Sequence, residues 1–446
     1  MKLNSLNIKN YRCFESLDIE FGADSNLFVV VGGNGAGKTT LLSAICTVLA
    51  PILTRLPFEK KPKATGMLPS DIRLTEFDQS APFVYLAADG SLSDDEAGQI
   101  KWDRIRFRDN SKATKDTAPG QRRETKSLYH YIDSVVDAHN AGNAYKLPVF
   151  AYYGTNRAVD VPHNRMQRRT MPKTFRRLMG LENALESKTD FRRSVGWFDL
   201  LEQRELREQR DNVEVTEASY CIAAVRRALE SMIPLIANPR IDSTTGRFAV
   251  NAVDPAGTSI RLHLDQLSDG YQVMLGVVMD FALRLALANP PQAQEEDVLQ
   301  TKAILMIDEV DLHLHPLWQQ RVIPDLRRTF PNTQLILTTH SPQVATTVPT
   351  ASLRILKDGV LHEAPAGTEG AEAERLLEDV FLVNPRPDLP MSRKLSRYLS
   401  LVDSKQWDSE QAIALRRELD AWSQGEEPML VEADLRIENL KWEAGQ

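Results

Sequence analysis

The feature that most constrains this chain is an apolar run, Leu27 to Val31, that opens into the glycine-rich turn Gly32-Gly33-Asn34-Gly35-Ala36-Gly37. The chain then passes through Lys38, Thr39 and Thr40 into helical apolar spacing at Leu41, Leu42, Ile45 and Leu49. Five consecutive apolar residues without alternation suit a strand buried on both faces. Glycines allow the amides of the turn to face inward onto phosphate oxygens, at the positive end of the following helix. Gly32, Gly37, Lys38 and Thr39 therefore fit a phosphate-binding loop in the strand–turn–helix context the pattern requires. Lys38 is expected to bridge the β- and γ-phosphates of ATP, and Thr39 to offer its hydroxyl to Mg²⁺, with Asn34, Gly35 and Thr40 completing the loop. An ordinary turn is the alternative, but a chance match in a chain of ordinary glycine content arises on the order of once in a hundred. The flanking strand and helix make it rarer still.

A cradle of this kind needs an acidic partner, and one follows the apolar run Ile304 to Ile307. Asp308 can hold Mg²⁺, and Glu309 can orient an attacking water. Paired carboxylates at a strand end are by themselves no more than a solvated edge; the phosphate loop decides in favour of function. Two further segments complete an ordered set. Leu267-Ser268-Asp269-Gly270-Tyr271-Gln272 stands immediately before a long apolar helix, where Ser268 also suits a helix N-cap. Thr338-Thr339-His340-Ser341 follows another apolar strand, and a lone histidine there has both structural and catalytic uses. His313 and His315 are too few to hold a metal ion on their own.

The LSDGYQ segment resembles the signature loop of ABC ATPases, usually LSGGQ, with Asp269 in place of a glycine and Tyr271 inserted. The opening Asn10-Tyr11-Arg12-Cys13-Phe14, together with DEVDLHLHP and TTHSPQV, is similar to the RecF, SMC and OLD-like branch of that family rather than to transporter subunits. The resemblance implies an α/β fold, an ABC-type P-loop head of mixed sheet and flanking helices. It also implies that two heads meet face to face, with Ser268 and Gly270 of one contacting the γ-phosphate held by the other. Under it, Glu309 and His340 are the catalytic residues, His340 as γ-phosphate sensor, and Arg12 contacts the nucleotide. The segment around His313 then lies at the dimer seam. No Q-loop is placed; Asn156 and Arg157, in YYGTNR, are candidates near the nucleotide, although a turn after a strand accounts for Gly154 and Asn156 equally well. Within the branch, the short head, the EVDLHLHP segment and LLEDVFLVNPRP followed by helices resemble the PtuA ATPases of Septu and retron-associated anti-phage systems. That likeness implies homo-oligomers, a separately encoded HNH nuclease partner (PtuB) and, in retron systems, a reverse transcriptase with its msDNA. The competing reading is a RecF-like repair or recombination ATPase that acts directly on DNA.

The expected organisation is an ATPase head over residues 1–366, carrying a polar and basic insertion at about 57–190, and a helical tail over 367–446. Val149 to Tyr153 is a further apolar strand, Phe248 to Val253 and Ile260 to Leu264 form a hairpin, and Gln272 to Leu287 is a long helix. The best membrane candidate, Val273 to Ala288, is broken by Asp280 and Arg284. With strand-like residues from Leu3 onward and no apolar leader, the expected location is the cytoplasm. Three cysteines without a CxxC pair indicate neither disulfides nor a zinc ribbon. The net charge of -7 is unevenly spread, because residues 101–177 hold 17 Lys/Arg against 7 Asp/Glu. Arg122, Arg123, Lys126, Arg165, Arg168, Arg169, Lys173, Arg176 and Arg177 could bind nucleic acid through phosphates, or could form a solvated face or a dock for an acidic protein.

Overall fold

A computed structural model describes the chain apart from residues 23–24, 59–65, 76–78, 94–98, 110–111, 113–114, 116–124, 158–176, 188–190, 212–216, 234–235, 254–256, 291–296 and 444–446. Two compact units emerge, Met1–Phe381 and Leu382–Gln446.

The first unit is built on a six-stranded sheet whose unbroken apolar runs predict its burial. Its strands are β3 (Leu27–Val31), β6 (Val149–Tyr153), β10 (Ala303–Ile307), β11 (Gln334–Thr339), β12 (Leu353–Lys357) and β13 (Val360–Glu363), in the order β13-β12-β3-β11-β10-β6. All pair in parallel except β13, which returns antiparallel along β12. Each of β3, β6, β10 and β11 is buried along its whole length, as a sheet covered on both faces requires. An antiparallel sheet, β2-β1-β4-β5, packs beside it through β1 (Lys2–Tyr11), β2 (Phe14–Glu20), β4 (Phe83–Ser91) and β5 (Gln99–Phe107). The buried amide of Gln334 stitches the two sheets together: its Oε1 accepts from the Leu3 amide and its Nε2 donates to the Leu3 carbonyl, both at 2.8 Å. A third sheet joins β7 (Ile236–Ile241), β8 (Phe248–Val253) and β9 (Ser259–His263), the last two being the expected hairpin.

Helix α1 (Lys38–Arg55) follows the glycine turn, and α2 (Thr125–Asn140) packs through Leu128, Ile132 and Val135. Next come α3 (Phe191–Arg210), α4 (Glu217–Met232) and α5 (Asp269–Ala288). Among the described residues α5 is the one helix long and apolar enough to cross a bilayer, and it lies in the core with 83% of its apolar window buried. Its Asp280 is buried beside Arg284, and receives hydrogen bonds from Tyr153 Oη and Ser194 Oγ, each at 2.7 Å. Burial alone would push the Asp280 carboxyl up, but the Arg284 charge and these hydrogen bonds outweigh it and hold the pKa below the usual carboxylate value. The short helices α6 (Pro316–Gln319), α7 (Val322–Thr329), α8 (Pro342–Ala345) and α9 (Ala373–Asp379) complete the unit.

Two expectations about organisation change. Residues 57–190 are no decoration, because β4 and β5 extend the antiparallel sheet from β1 and β6 forms the edge of the central one. Their composition reads as polar because β4 alternates buried and half-buried positions, and much of β5 keeps one face toward solvent. The division between units falls at Phe381/Leu382 rather than at residue 367, since Leu376 and Val380 of the α9 segment are buried in the head's own core.

The second unit is a small bundle of α10 (Pro390–Asp403), α11 (Glu410–Ser423) and α12 (Pro428–Glu443) around Leu395, Tyr398, Val402, Ala412, Leu419, Leu430 and Ala433. Gln424 and Gly425 take left-handed φ of 49° and 88° and stop α11 before α12 begins.

Candidate functional site

Strand order assembles the site. The segments after β3, β11 and β10 are far apart in sequence, yet β3, β11 and β10 are neighbours, so their carboxyl ends present the glycine turn, the His340 turn and the Asp308-Glu309 pair side by side. Ligands of open α/β sheets are held at this edge. The glycine turn is shaped for close approach: Gly35 and Gly37 have φ of 79° and 106°. A Cβ on Gly32 would lie 2.4 Å from the Leu356 carbonyl oxygen, and one on Gly37 would lie 2.8 Å from Cys13 Sγ. Asn34 and Gly35 are exposed at the tip, and Thr40 is half-buried in the first turn of α1.

Lys38 is buried, and its Nζ donates to the carbonyls of Gly32 at 2.9 Å and Gly33 at 3.0 Å, so the ammonium is folded back into its own loop. Burial pulls its pKa down, while the carboxylates of Asp308, Glu309 and Asp311 pull it back up. The acidic end is fastened from two strands. Asp308 is 1% exposed. Its Oδ2 accepts from Thr39 Oγ1 at 2.7 Å and its Oδ1 from Thr338 Oγ1 at 2.6 Å. Thr39 and Asp308, the two residues expected to share Mg²⁺, are thus in direct contact. An exposed hydroxyl beside a carboxylate is the oxygen donor set a Mg²⁺ that keeps several waters accepts. Among the described residues no group of three or more His, Cys, Asp or Glu forms a protein-only metal cage.

Glu309 sits in the left-handed region at φ 49°, which costs a residue with a Cβ about 1–3 kcal/mol. Its amide donates to Thr338 Oγ1 at 2.8 Å. The buried Arg157 donates to the carbonyls of Asp308 and Glu309, and to that of Gly154 at 3.2 Å. Next to them, His340 is half-buried with its amide donating to Asp311 Oδ1 at 3.3 Å. Asp311 Oδ1 also accepts from Thr339 Oγ1 at 2.5 Å, so this carboxylate fixes the whole turn. Burial lowers the His340 pKa, the Lys38 charge lowers it further, and the carboxylates of Glu309, Asp311 and Asp308 oppose both. The imidazole is therefore neutral near pH 7.

Arg12 lies in the turn between β1 and β2 with φ 49°, in a turn that touches the glycine loop through Cys13 and Phe14. Its Nε is ion-paired to Asp71 Oδ1 at 2.9 Å, and its guanidinium stands 5.3 Å from the centroid of the Tyr11 ring.

The signature-like loop is built differently. Ser268 is exposed at the N-cap of α5, and its hydroxyl makes no cap hydrogen bond, so the first amides of this helix have no intrahelical acceptor and no serine cap. Gly270 is buried, and a Cβ there would lie 2.6 Å from the His313 carbonyl oxygen. Its glycine is required inside the chain, by close packing of the α5 entrance on the DLHLHP segment. Tyr271 seals the same contact, edge-on to Trp318 with ring centroids 4.4 Å apart. His315 is spent on capping: its Nδ1 accepts from the Leu317 amide at 3.3 Å.

The structure reassigns part of the basic stretch. Arg104 and Arg106 donate to the carbonyls of Thr47 and Met67. Arg177 donates to the carbonyls of Ala288 and Tyr145 and stacks 3.8 Å above the Tyr145 ring. Lys126 is exposed on α2, whereas Arg122, Arg123, Arg165, Arg168, Arg169, Lys173 and Arg176 lie outside the described residues.

A family model described as an AAA domain matches residues 5–232, and a second, described as "AAA domain, putative AbiEii toxin, Type IV TA system", matches residues 181–346. The chain is 29% identical to the retron Ec83 probable ATPase of Escherichia coli, over 99% of this chain and 88% of that one. It is 29% identical to the Septu protein PtuA of Bacillus mycoides (strain KBAB4), over 32% of this chain and 20% of that one. Among solved structures, the Smc head bound to the C-winged helix domain of ScpA aligns over 80% of this chain and 95% of that chain at 17% identity, with a TM-score of 0.45.

Proposed function

The chain belongs to the AAA-domain family of ATPases, and from that membership we propose that it works in the cytoplasm as the ATP-hydrolysing, regulatory subunit of an anti-phage defence assembly of the retron or Septu kind. Its heads pair face to face, and the pair governs a separately encoded HNH nuclease. The observation that carries the reading is the convergence of Lys38, Thr39, Asp308, Glu309 and His340 on one sheet edge, with Thr39 and Asp308 2.7 Å apart. The extensive likeness to a retron ATPase supports the defence context.

In this reading Lys38 leaves the Gly32 and Gly33 carbonyls to meet the β- and γ-phosphates of ATP, while the loop amides bind the same oxygens. Thr39 and Asp308 hold Mg²⁺, which when bound neutralises charge developing on the phosphates. Glu309 orients the attacking water, and neutral His340 hydrogen-bonds the γ-phosphate. Ser268 of the opposing head, uncapped and exposed, closes the site with the free amides of its helix. Phosphoryl transfer depends mainly on positioning and electrostatics, so one head alone hydrolyses slowly.

The test is Glu309→Gln, produced with the products of neighbouring genes and followed by sedimentation velocity with and without ATP. ATP should hold the variant as a lasting head-to-head pair, with any nuclease subunit retained, while the wild type releases it on turnover. Wild-type turnover in the variant would remove Glu309 from the mechanism; a variant that binds ATP and stays monomeric would remove the paired heads.

A further inference from the structure

The bottom of the site holds a charge that phosphate recognition leaves unexplained. Arg157 is 1% exposed, one of the largest fully buried side chains in the protein, and among the described residues its guanidinium forms no ion pair. A guanidinium is always charged and scarcely ever buried without a partner. Here its Nη1 donates to the carbonyls of Gly154 and Asp308, its Nη2 donates to the carbonyl of Glu309, and its Nε has no acceptor. Those carbonyls belong to the ends of two adjacent parallel strands, β6 and β10, so the planar fork ties one strand end to the other. The second tie is the Asp308 amide, which donates to the Tyr153 carbonyl at 2.9 Å.

The residue being tied is strained. Glu309 holds a left-handed φ of 49°, and its backbone is fixed by the Thr338 hydroxyl on its amide and, on its carbonyl, by the Arg157 guanidinium together with the Leu312 amide of the following turn at 2.9 Å. Relaxing φ to an extended value would turn that carbonyl off the fork and swing the side chain away from the edge where Lys38 and His340 stand. Arg157 is also well placed electrostatically, since the carboxylates of Asp308, Asp311 and Glu309 counter the effect of its burial.

We propose that Arg157 is a positioning residue that clamps the backbone after β10 and so fixes the aim of the Glu309 carboxylate on the attacking water, without itself touching the nucleotide. The inference rests on Glu309 orienting that water. It replaces the expectation that Arg157 stands beside the nucleotide: its described partners are all main-chain carbonyls of its own chain.

The test is a double-mutant cycle in the full chain, with Arg157→Gln and Arg157→Lys each made in the wild type and in Glu309→Gln. ATPase kcat and the Kd of ATP are read separately, and thermal melting reports folding. Both variants should lose about tenfold or more in kcat while Kd moves less than about threefold, and neither should lower the residual rate of Glu309→Gln further. If Arg157→Gln fails to fold, Arg157→Lys carries the test, because it keeps the charge and loses only the planar fork. Full activity in Arg157→Lys would overturn the clamp in favour of charge compensation. Losses that multiply in the Glu309→Gln background, or a Kd that worsens in step with kcat, would overturn it as well. Failure of the underlying reading looks different: Glu309→Gln alone would then turn over like the wild type.

Discussion

The phosphate cradle and the signature-like loop lie in one compact unit, but they are finished to different degrees. In the cradle the phosphate- and Mg²⁺-binding groups are already held within the chain, Lys38 on the Gly32 and Gly33 carbonyls, Thr39 on Asp308 and Asp308 on Thr338, and the main chain of Glu309 is fixed by Thr338 and Arg157. In the signature loop the scaffold is equally firm, with Gly270 packed on His313 and Tyr271 on Trp318, yet the Ser268 hydroxyl stands exposed without a cap to make. A helix entrance normally satisfies its amides with such a serine. The difference is the one the proposed pairing of heads calls for, a cradle whose binding groups are set within one chain and a firmly packed loop whose serine is left exposed.

The comparison breaks most visibly at Lys38. Lys38→Ala removes the one ammonium in the cradle and leaves two loop carbonyls without their donor. ATP affinity should fall by about 100-fold or more, the cost of losing charge-assisted hydrogen bonds to phosphate. Isothermal calorimetry measures it, and unchanged affinity would show that the cradle is not where the phosphates lie. Because the cradle binds alone, the loss should be equal at protein concentrations that favour single heads and at those that favour pairs.

The loop gives the opposite signature. Ser268→Arg places a bulky cation on an exposed helix entrance, where nothing in the same chain resists it. ATP affinity should stay within about threefold of the wild type, while turnover per head drops about tenfold or more and no longer rises with protein concentration. Turnover at the wild-type level, measured across a protein concentration series, would mean that hydrolysis is completed within one head and that Ser268 serves only its own helix.

Much of the cradle was legible in the sequence because its chemistry travels with local pattern. An apolar run, a glycine turn and Lys38-Thr39 are contiguous, and so are Ile304 to Ile307 with Asp308-Glu309. What joins them, the order β3-β11-β10-β6, comes from parallel pairing that leaves no local trace. The supporting groups were illegible for the same reason. Arg157 and Asp311 act through main-chain partners about 150 and 30 residues away in the chain, contacts that no periodicity reports. Asp311 could have been suspected from its place in DEVDLHLHP; nothing in YYGTNR distinguishes a clamp on carbonyls from a turn. Gly270 shows a third kind of gap. The glycine itself was evident, but its reason, a 2.6 Å approach to the His313 carbonyl, is tertiary. The strands β4 and β5 read as insertion in the sequence because their half-exposed faces carry charged residues, Asp89 on β4 and Lys101 and Arg106 on β5.

The finest contrast lies within the cradle, between groups held for binding and an imidazole whose proton is held more weakly than usual. His340 has its pKa lowered below the usual histidine value, first by burial and then by the Lys38 charge. Between that lowered value and about 6.5, the unfolded chain binds more protons than the folded one, so stability rises with pH there and is lost as pH falls through the window. The imidazole stays neutral at pH 7 and protonates only on further acidification, which leaves both ring nitrogens as donors and removes the one that can accept a hydrogen bond, such as that from the attacking water. The acid limb of kcat should therefore have its midpoint below about 6.5. His340→Gln should remove that limb, flatten the dependence of thermal stability on pH in the same window, and leave ATP affinity at pH 7.5 within a few-fold. The pH–rate profile from 5 to 8 measures it: an identical acid limb in the variant would assign the titration to another group and leave His340 a structural member of the turn that Asp311 holds.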